Sequence, residues 1–102
     1  MFVAMNRFRV AKGAEAAFEA VWRNRDSRLA GMDGFVSFHL LRGPEAADHT
    51  LYCSHSVWRD RDAFAAWTRS EAFRHAHRDA GDSKPLYLGP PAFEGFDAVE
   101  GV

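Results

Sequence analysis

Residues 2 to 10 alternate in side-chain character, and this constrains the chain more than any other feature. Phe2, Ala4, Asn6, Phe8 and Val10 fall on one parity and Val3, Met5, Arg7 and Arg9 on the other. A period of two is satisfied by a strand and not by a helix. After the break at Lys12-Gly13 the period changes. Ala14, Ala17, Phe18, Val21, Trp22, Arg25 and Leu29 recur at helical spacing, which predicts an amphipathic helix from Ala14 to about Leu29, ended by Gly31 and Asp33-Gly34.

Phe35 to Arg42 is extended again, and Gly43-Pro44 followed by Glu45 to His49 reads as a polar loop leading into an antiparallel partner at Leu51 to Trp58. Asp60 is placed to cap a helix carrying Phe64 and Trp67. Ser70-Glu71 restarts that helix through Phe73, Ala76 and His77, so two short pieces with a bend between them are expected. The stretch from Lys84 to Pro91 is a loop, because its prolines lack the donors an inner strand needs. Ala92 to Val99 supplies a last short strand. The order β-α-β-β-α-β is that of an α+β, ferredoxin-like sheet with its helices on one face.

At 102 residues, with no low-complexity linker, the chain is expected to form a single domain spanning 1–102. Nine Phe and three Trp are a heavy stock of large apolar side chains for that length, enough to leave aromatic surface for a ligand or partner. The net charge is -1, with 13 Lys and Arg mixed among 14 Asp and Glu. Nucleic-acid binding, which draws on a concentrated basic face, is therefore disfavoured. The apolar start Met1 to Met5 is too short for a signal-peptide core or a membrane span, so a soluble, cytoplasmic protein without a membrane partner is expected. Cys53 is the only cysteine, which leaves no internal disulfide.

Asn6 is the one polar side chain on the apolar face of the first strand. Read from position alone, it either bonds nearby backbone or water, or offers a donor to a ligand lying between sheet and helices. Phe73 and His77 are four apart and share a helix face, whereas His75 lies about 160° around the helix from His77 and should look toward solvent. His77 is therefore either a satisfied core residue or a ligand. Trp67 is core filler or a rigid wall for a flat molecule. On the first helix Trp22 is wall or core, and Arg25 either snorkels to the rim or pairs an anionic group. His39, His55 and Cys53 fall on one parity of neighbouring strands, but they lack the ligand spacing of a zinc site and read as ordinary strand residues.

Three stretches together resemble a known family: Ala4-Met5-Asn6-Arg7-Phe8, the run Gly34 to Arg42, and Trp67 to His77 with its W-x2-S-x2-F-x3-H spacing. The chain is similar to the antibiotic-biosynthesis-monooxygenase-like domains, and within them to the bacterial haem-degrading monooxygenases of rhizobial and staphylococcal type. The Gly-Phe stretch marks only the wider fold group, whereas Asn6, Trp67 and His77 match the catalytic set of the haem-degrading branch. The resemblance implies haem as both substrate and oxygen-activating cofactor, with O2 and an external electron donor, either a reductase or a small reductant. It implies His77 as iron ligand with His75 as runner-up, Asn6 as donor over the ring, and Trp67 pressing the macrocycle out of plane so that it opens to a bilin-type product. Trp22, Arg25 and Phe73 would line the site, and two sheets would pack as a homodimeric α/β barrel. Two other activities fit the same residues: a haem-binding or delivery protein without turnover, and a cofactor-free quinol or phenol monooxygenase.

Overall fold

In the computed structural model, which describes residues 1–25, 27–77 and 86–102, the chain is a four-stranded antiparallel sheet carrying its helices on one side. The elements run β1 (Phe2–Ala11), α1 (Glu15–Arg23), a 3-10 turn (Leu29–Gly31), β2 (Phe35–Glu45), β3 (His49–Trp58), α2 (Arg61–Thr68), α3 (Glu71–His77) and β4 (Ala92–Asp97). The strand order β2-β3-β1-β4 puts the first strand inside and the last at an edge, the arrangement expected of the split β-α-β. Among the described residues no helix is long and apolar enough to cross a membrane.

The capping residues act as the sequence suggests. The Asp60 carboxylate accepts the Ala63 N–H at 2.8 Å and starts α2. The Ser70 hydroxyl accepts the Phe73 N–H at 3.1 Å and donates to the Trp67 carbonyl at 2.6 Å, so one side chain closes α2 and opens α3.

Two boundaries differ from expectation. The first helix stops at Arg23 rather than near Leu29. Asn24 and Ser27 compete for backbone groups in non-helical geometry. The Ser27 hydroxyl accepts the Leu29 N–H at 3.4 Å, and Arg28 takes a left-handed conformation with φ 56°. The stretch read as a polar loop from Gly43 is instead strand through Glu45, with β3 beginning at His49. A register irregularity between Arg42 and Glu45 absorbs Gly43-Pro44, and β2 is an edge strand, where a proline leaves no ladder bond unmade. The last strand ends at Asp97, two residues short of Val99. Of the 84–91 loop, residues 84 and 85 lie outside the described residues, while Tyr87 bridges to Val10 and the Leu88 N–H donates to the Arg9 carbonyl at 2.8 Å.

Pairing in the sheet stacks the inward side chains in rows. One row, Phe35, Trp58 and Phe2, is large and filled, and joins Leu29, Ala63 and Trp67 in one apolar cluster. Further along β1, Phe8 and Val10 build a second cluster with Phe18 and Tyr52. Between them lie a row of Phe38, Ser56, Ala4 and Gly95, and one of Leu40, Ser54, Asn6 and Phe93. Short side chains therefore occupy the centre of the floor.

Gly95 belongs to this design. A Cβ there would lie 2.7 Å from Cζ of Phe2, a ring that is 1% exposed and already packed against Phe64 at 5.3 Å. Gly95→Ala should therefore cost about 1–3 kcal/mol through overpacking. Gly31→Ala, where nothing lies within 4 Å, should be neutral within about 0.5 kcal/mol. Urea denaturation of the two variants beside the parent checks both values, and equal midpoints would remove the packing constraint at Gly95.

Candidate functional site

Between the two apolar clusters the short floor residues leave a cavity of about 590 Å3. That is within the roughly 300–1,000 Å3 range of small-molecule sites. Ala4, Ser54 and Ser56 form its base, α1 contributes Trp22, α2 Phe64 and Trp67, and α3 Phe73 and His77. Ser56 is committed to the scaffold: its hydroxyl accepts the Trp58 Nε1–H at 3.0 Å and donates to the Ala4 carbonyl at 3.4 Å.

His77 is held from two directions. Its ring stacks on Phe73 with centroids 4.1 Å apart and planes at 26°. Its Nδ1 lies 2.8 Å from the Phe73 carbonyl oxygen, which can only accept, so in the neutral imidazole the proton sits on Nδ1. Among the described residues nothing bonds Nε2, whose lone pair can take a metal or a proton. Burial pushes the His77 pKa below its ordinary value of 6.5. The Phe73 carbonyl opposes that shift, and the Arg25 guanidinium adds to it. The side chain is therefore neutral at pH 7.

Trp67 closes the same wall, with its ring edge-on to Phe73 at 4.8 Å and to His77 at 5.7 Å. Its Nε1–H is buried without a hydrogen-bond partner among the described residues, a condition that costs roughly 1–3 kcal/mol. Arg25 lies over the Trp22 ring, with Cζ 4.1 Å from the centroid. Among the described residues no carboxylate pairs with Arg25, and the cavity lining includes no Asp or Glu. Asn6 lines the cavity from β1, and its carboxamide likewise has no hydrogen-bond partner among the described residues. Among the described residues the chamber is thus aromatic and apolar, with the Arg25 guanidinium, the Asn6 amide and the His77 Nε2 as polar groups without a protein partner.

All six residues singled out from the sequence, Asn6, Trp22, Arg25, Trp67, Phe73 and His77, line this one cavity. His75, the alternative ligand, is half-buried and not part of the lining. His39 and His55 face each other across β2 and β3 on the opposite side of the sheet, with Cys53 further along β3, away from the cavity. The sequence reading missed Phe38, Phe93 and Tyr87 as lining residues, along with the serine floor. The available signal was parity: Ser54 and Ser56 share the inward side of β3 with Tyr52 and Trp58, and serines where large apolar side chains are expected mark a hollow.

Residues 1–79 match the family model described as Antibiotic biosynthesis monooxygenase. A "heme-degrading monooxygenase" of Halalkalibacterium halodurans is 30% identical over 78 residues, covering 76% of this chain and 66% of that protein. A "heme oxygenase (staphylobilin-producing)" of Staphylococcus saprophyticus is 25% identical over 84 residues, covering 82% of this chain and 80% of that protein. Among solved structures, the haem-degrader MhuD of Mycobacterium tuberculosis, with two haems bound in its active site, superposes with a TM-score of 0.73 at 26% identity over 100% of this chain and 99% of that one. SnoaB of Streptomyces nogalater, a cofactor-independent oxygenase, superposes with a TM-score of 0.68 at 29% identity over 97% and 93%. With more than half of its length matched and the ferredoxin-like fold shared, the chain belongs to the antibiotic biosynthesis monooxygenase family.

Proposed function

We propose that the protein is a haem-degrading monooxygenase, with the haem taken into the central cavity. The observation that carries this reading is the chemistry of the lining. A flat, apolar ligand with an anionic arm suits a chamber of aromatic walls to which the described residues contribute one guanidinium without a carboxylate partner and no carboxylate. A phenol or quinol oxidised without cofactor is the weaker fit, since among the described residues no carboxylate in the lining could take its proton and His77 is a depressed base.

When bound, haem supplies the iron that activates O2 and is itself the molecule opened. The residues divide the remaining work. His77 would hold the haem iron through Nε2, with its tautomer and ring plane set by the Phe73 carbonyl and ring. Arg25, steadied on Trp22, pairs a propionate. Asn6 donates its amide N–H to a polar group held over the sheet floor. Trp67, locked edge-on against Phe73, would be the rigid wall against which the apolar ring is buried. O2 and an external electron donor complete the reaction.

The side of the sheet without helices presents Val3, Met5 and Val57, with Leu41 43% and Phe96 49% exposed at its edges. A second copy of the chain covering this face as a dimeric barrel removes that apolar surface from water. The protein should sediment at twice its 11.5 kDa chain mass. Met5→Glu should shift it to the monomer, and a parent that sediments as a monomer at micromolar concentration overturns the dimer.

Titration with hemin should produce a Soret band. Adding reductant and O2 should replace that band with bilin-like absorption. His77→Ala should weaken hemin binding by ~10-fold or more, about 1.4 kcal/mol, and change the iron-ligand bands. Because burial holds the His77 pKa below its ordinary value, affinity should be constant on the alkaline side and fall as the pH is lowered and the imidazole gains its proton, at a lower pH than for a free histidine. A Soret band that persists under reductant and O2 would point to haem delivery instead. Absence of hemin binding combined with quinol turnover would point to cofactor-free oxidation.

A further inference from the structure

Each inward side chain of β3, Thr50, Tyr52, Ser54, Ser56 and Trp58, carries a group that hydrogen-bonds, and all but Ser54 are committed within the protein. The Thr50 hydroxyl donates to Glu15 at 2.9 Å, the Tyr52 hydroxyl donates to Glu19 at 2.5 Å, and Ser56 accepts from the Trp58 indole at 3.0 Å. Ser54 is 7% exposed and lines the central cavity, yet among the described residues nothing bonds its hydroxyl; the bond it accepts, from Cys53, goes to its backbone carbonyl. An alanine or valine would complete the floor without leaving a hydroxyl unpaired. The group is therefore placed for something that enters the cavity.

Directly across the β1–β3 ladder from Ser54 is Asn6, whose carboxamide lines the cavity and also has no partner among the described residues. Facing side chains on such a ladder stand roughly 4.5–5.5 Å apart at Cβ, near enough for the two polar ends to close on one atom. Their neighbours in the row are Leu40 on β2 and Phe93 on β4, so the pair is a polar island in an apolar floor. We propose that Ser54 and Asn6 form a two-donor site that holds one small hydrogen-bond acceptor, a diatomic molecule or a monatomic anion, against the floor of the cavity.

The chemistry of the pair selects an acceptor. The hydroxyl offers one O–H and the carboxamide two N–H groups. Among the described residues the lining holds the Arg25 guanidinium and no carboxylate, so the field around the pair favours negative charge. His77 belongs to α3 in the helical layer and the pair belongs to the sheet, so whatever fills the cavity lies between Nε2 and the two donors. With haem as that filling, the acceptor is a small iron ligand on the side away from His77. That assignment rests on the oxygenase reading above; the two-donor site does not. The work of Ser54 is to orient the small ligand, with no part in holding the macrocycle.

Three readouts test this. In crystals of the haem-free protein, one ordered water should sit within about 3.2 Å of both Ser54 Oγ and Asn6 Nδ2, and Ser54→Ala should remove it. Ser54→Ala should melt with the parent, whereas Ser56→Ala, which strips the Trp58 indole of its acceptor, should melt lower. In hemin-loaded protein, Ser54→Ala should bind fluoride ~10-fold more weakly and raise the C–O stretching frequency of the ferrous carbonyl adduct, with hemin affinity unchanged; Ser54→Thr, which keeps the hydroxyl, should restore both. The proposal is overturned by a haem-free cavity in which no water touches both groups, by a lowered melting temperature for Ser54→Ala, or by fluoride affinity and C–O frequency equal in parent and Ser54→Ala. A bridging water in a protein that never binds hemin keeps the two-donor site and removes the haem reading alone.

Discussion

The interior of this molecule is shaped by how little side chain the middle of its sheet carries. Ala4, Ser54, Ser56 and Gly95 occupy positions where the neighbouring rows hold Trp58, Phe2, Tyr52 and Phe8. A sheet of this size with helices on one face normally closes over a single continuous core. Here the apolar residues condense instead into two clusters, one around Trp58 and one around Phe18, and the gap between them is the cavity. Each cluster is dense in ring contacts, including Trp58 against Trp67 at 5.5 Å and Phe18 against Tyr52 at 5.2 Å. Such packing lets the walls stand without material between them.

The same hollow sets the electrostatics. Burial holds His77 neutral, and the nearby guanidinium of Arg25 acts in the same direction, so an imidazole lone pair is available at neutral pH. The cost appears elsewhere, as a half-buried cation without a carboxylate among the described residues and a buried indole N–H without an acceptor. Groups left in this condition are expected where a ligand completes the structure.

The fold was legible because its local signals agree. Strict alternation in β1, the Asp60 and Ser70 caps and the proline-rich loop all point to one arrangement. The first helix was overread because Arg25 and Leu29 continue its apolar stripe in sequence. In space they still reach the cavity, but from a turn organised by Ser27 rather than from a helix. The short loop after β2 was hidden by Gly43-Pro44, which breaks a central strand but is accommodated at an edge by the register shift. Of the site, the elements with a motif behind them, Asn6, Trp67 and His77, could be named in advance. Phe38, Phe93 and the serine floor could not, because their meeting depends on the pairing register of four strands, which no local pattern fixes.

The most direct test of the hollow floor is to fill it. Ser54 is 7% exposed, lines the cavity and has no side-chain hydrogen bond among the described residues, so Ser54→Leu adds apolar volume there without orphaning a partner. Thermal melting and hemin titration on the same sample should then move apart, with the melting temperature kept or raised and the Soret band lost. A Ser54→Leu protein that melts like the parent and still binds hemin with parental affinity would show that the ligand does not occupy the space between the two clusters.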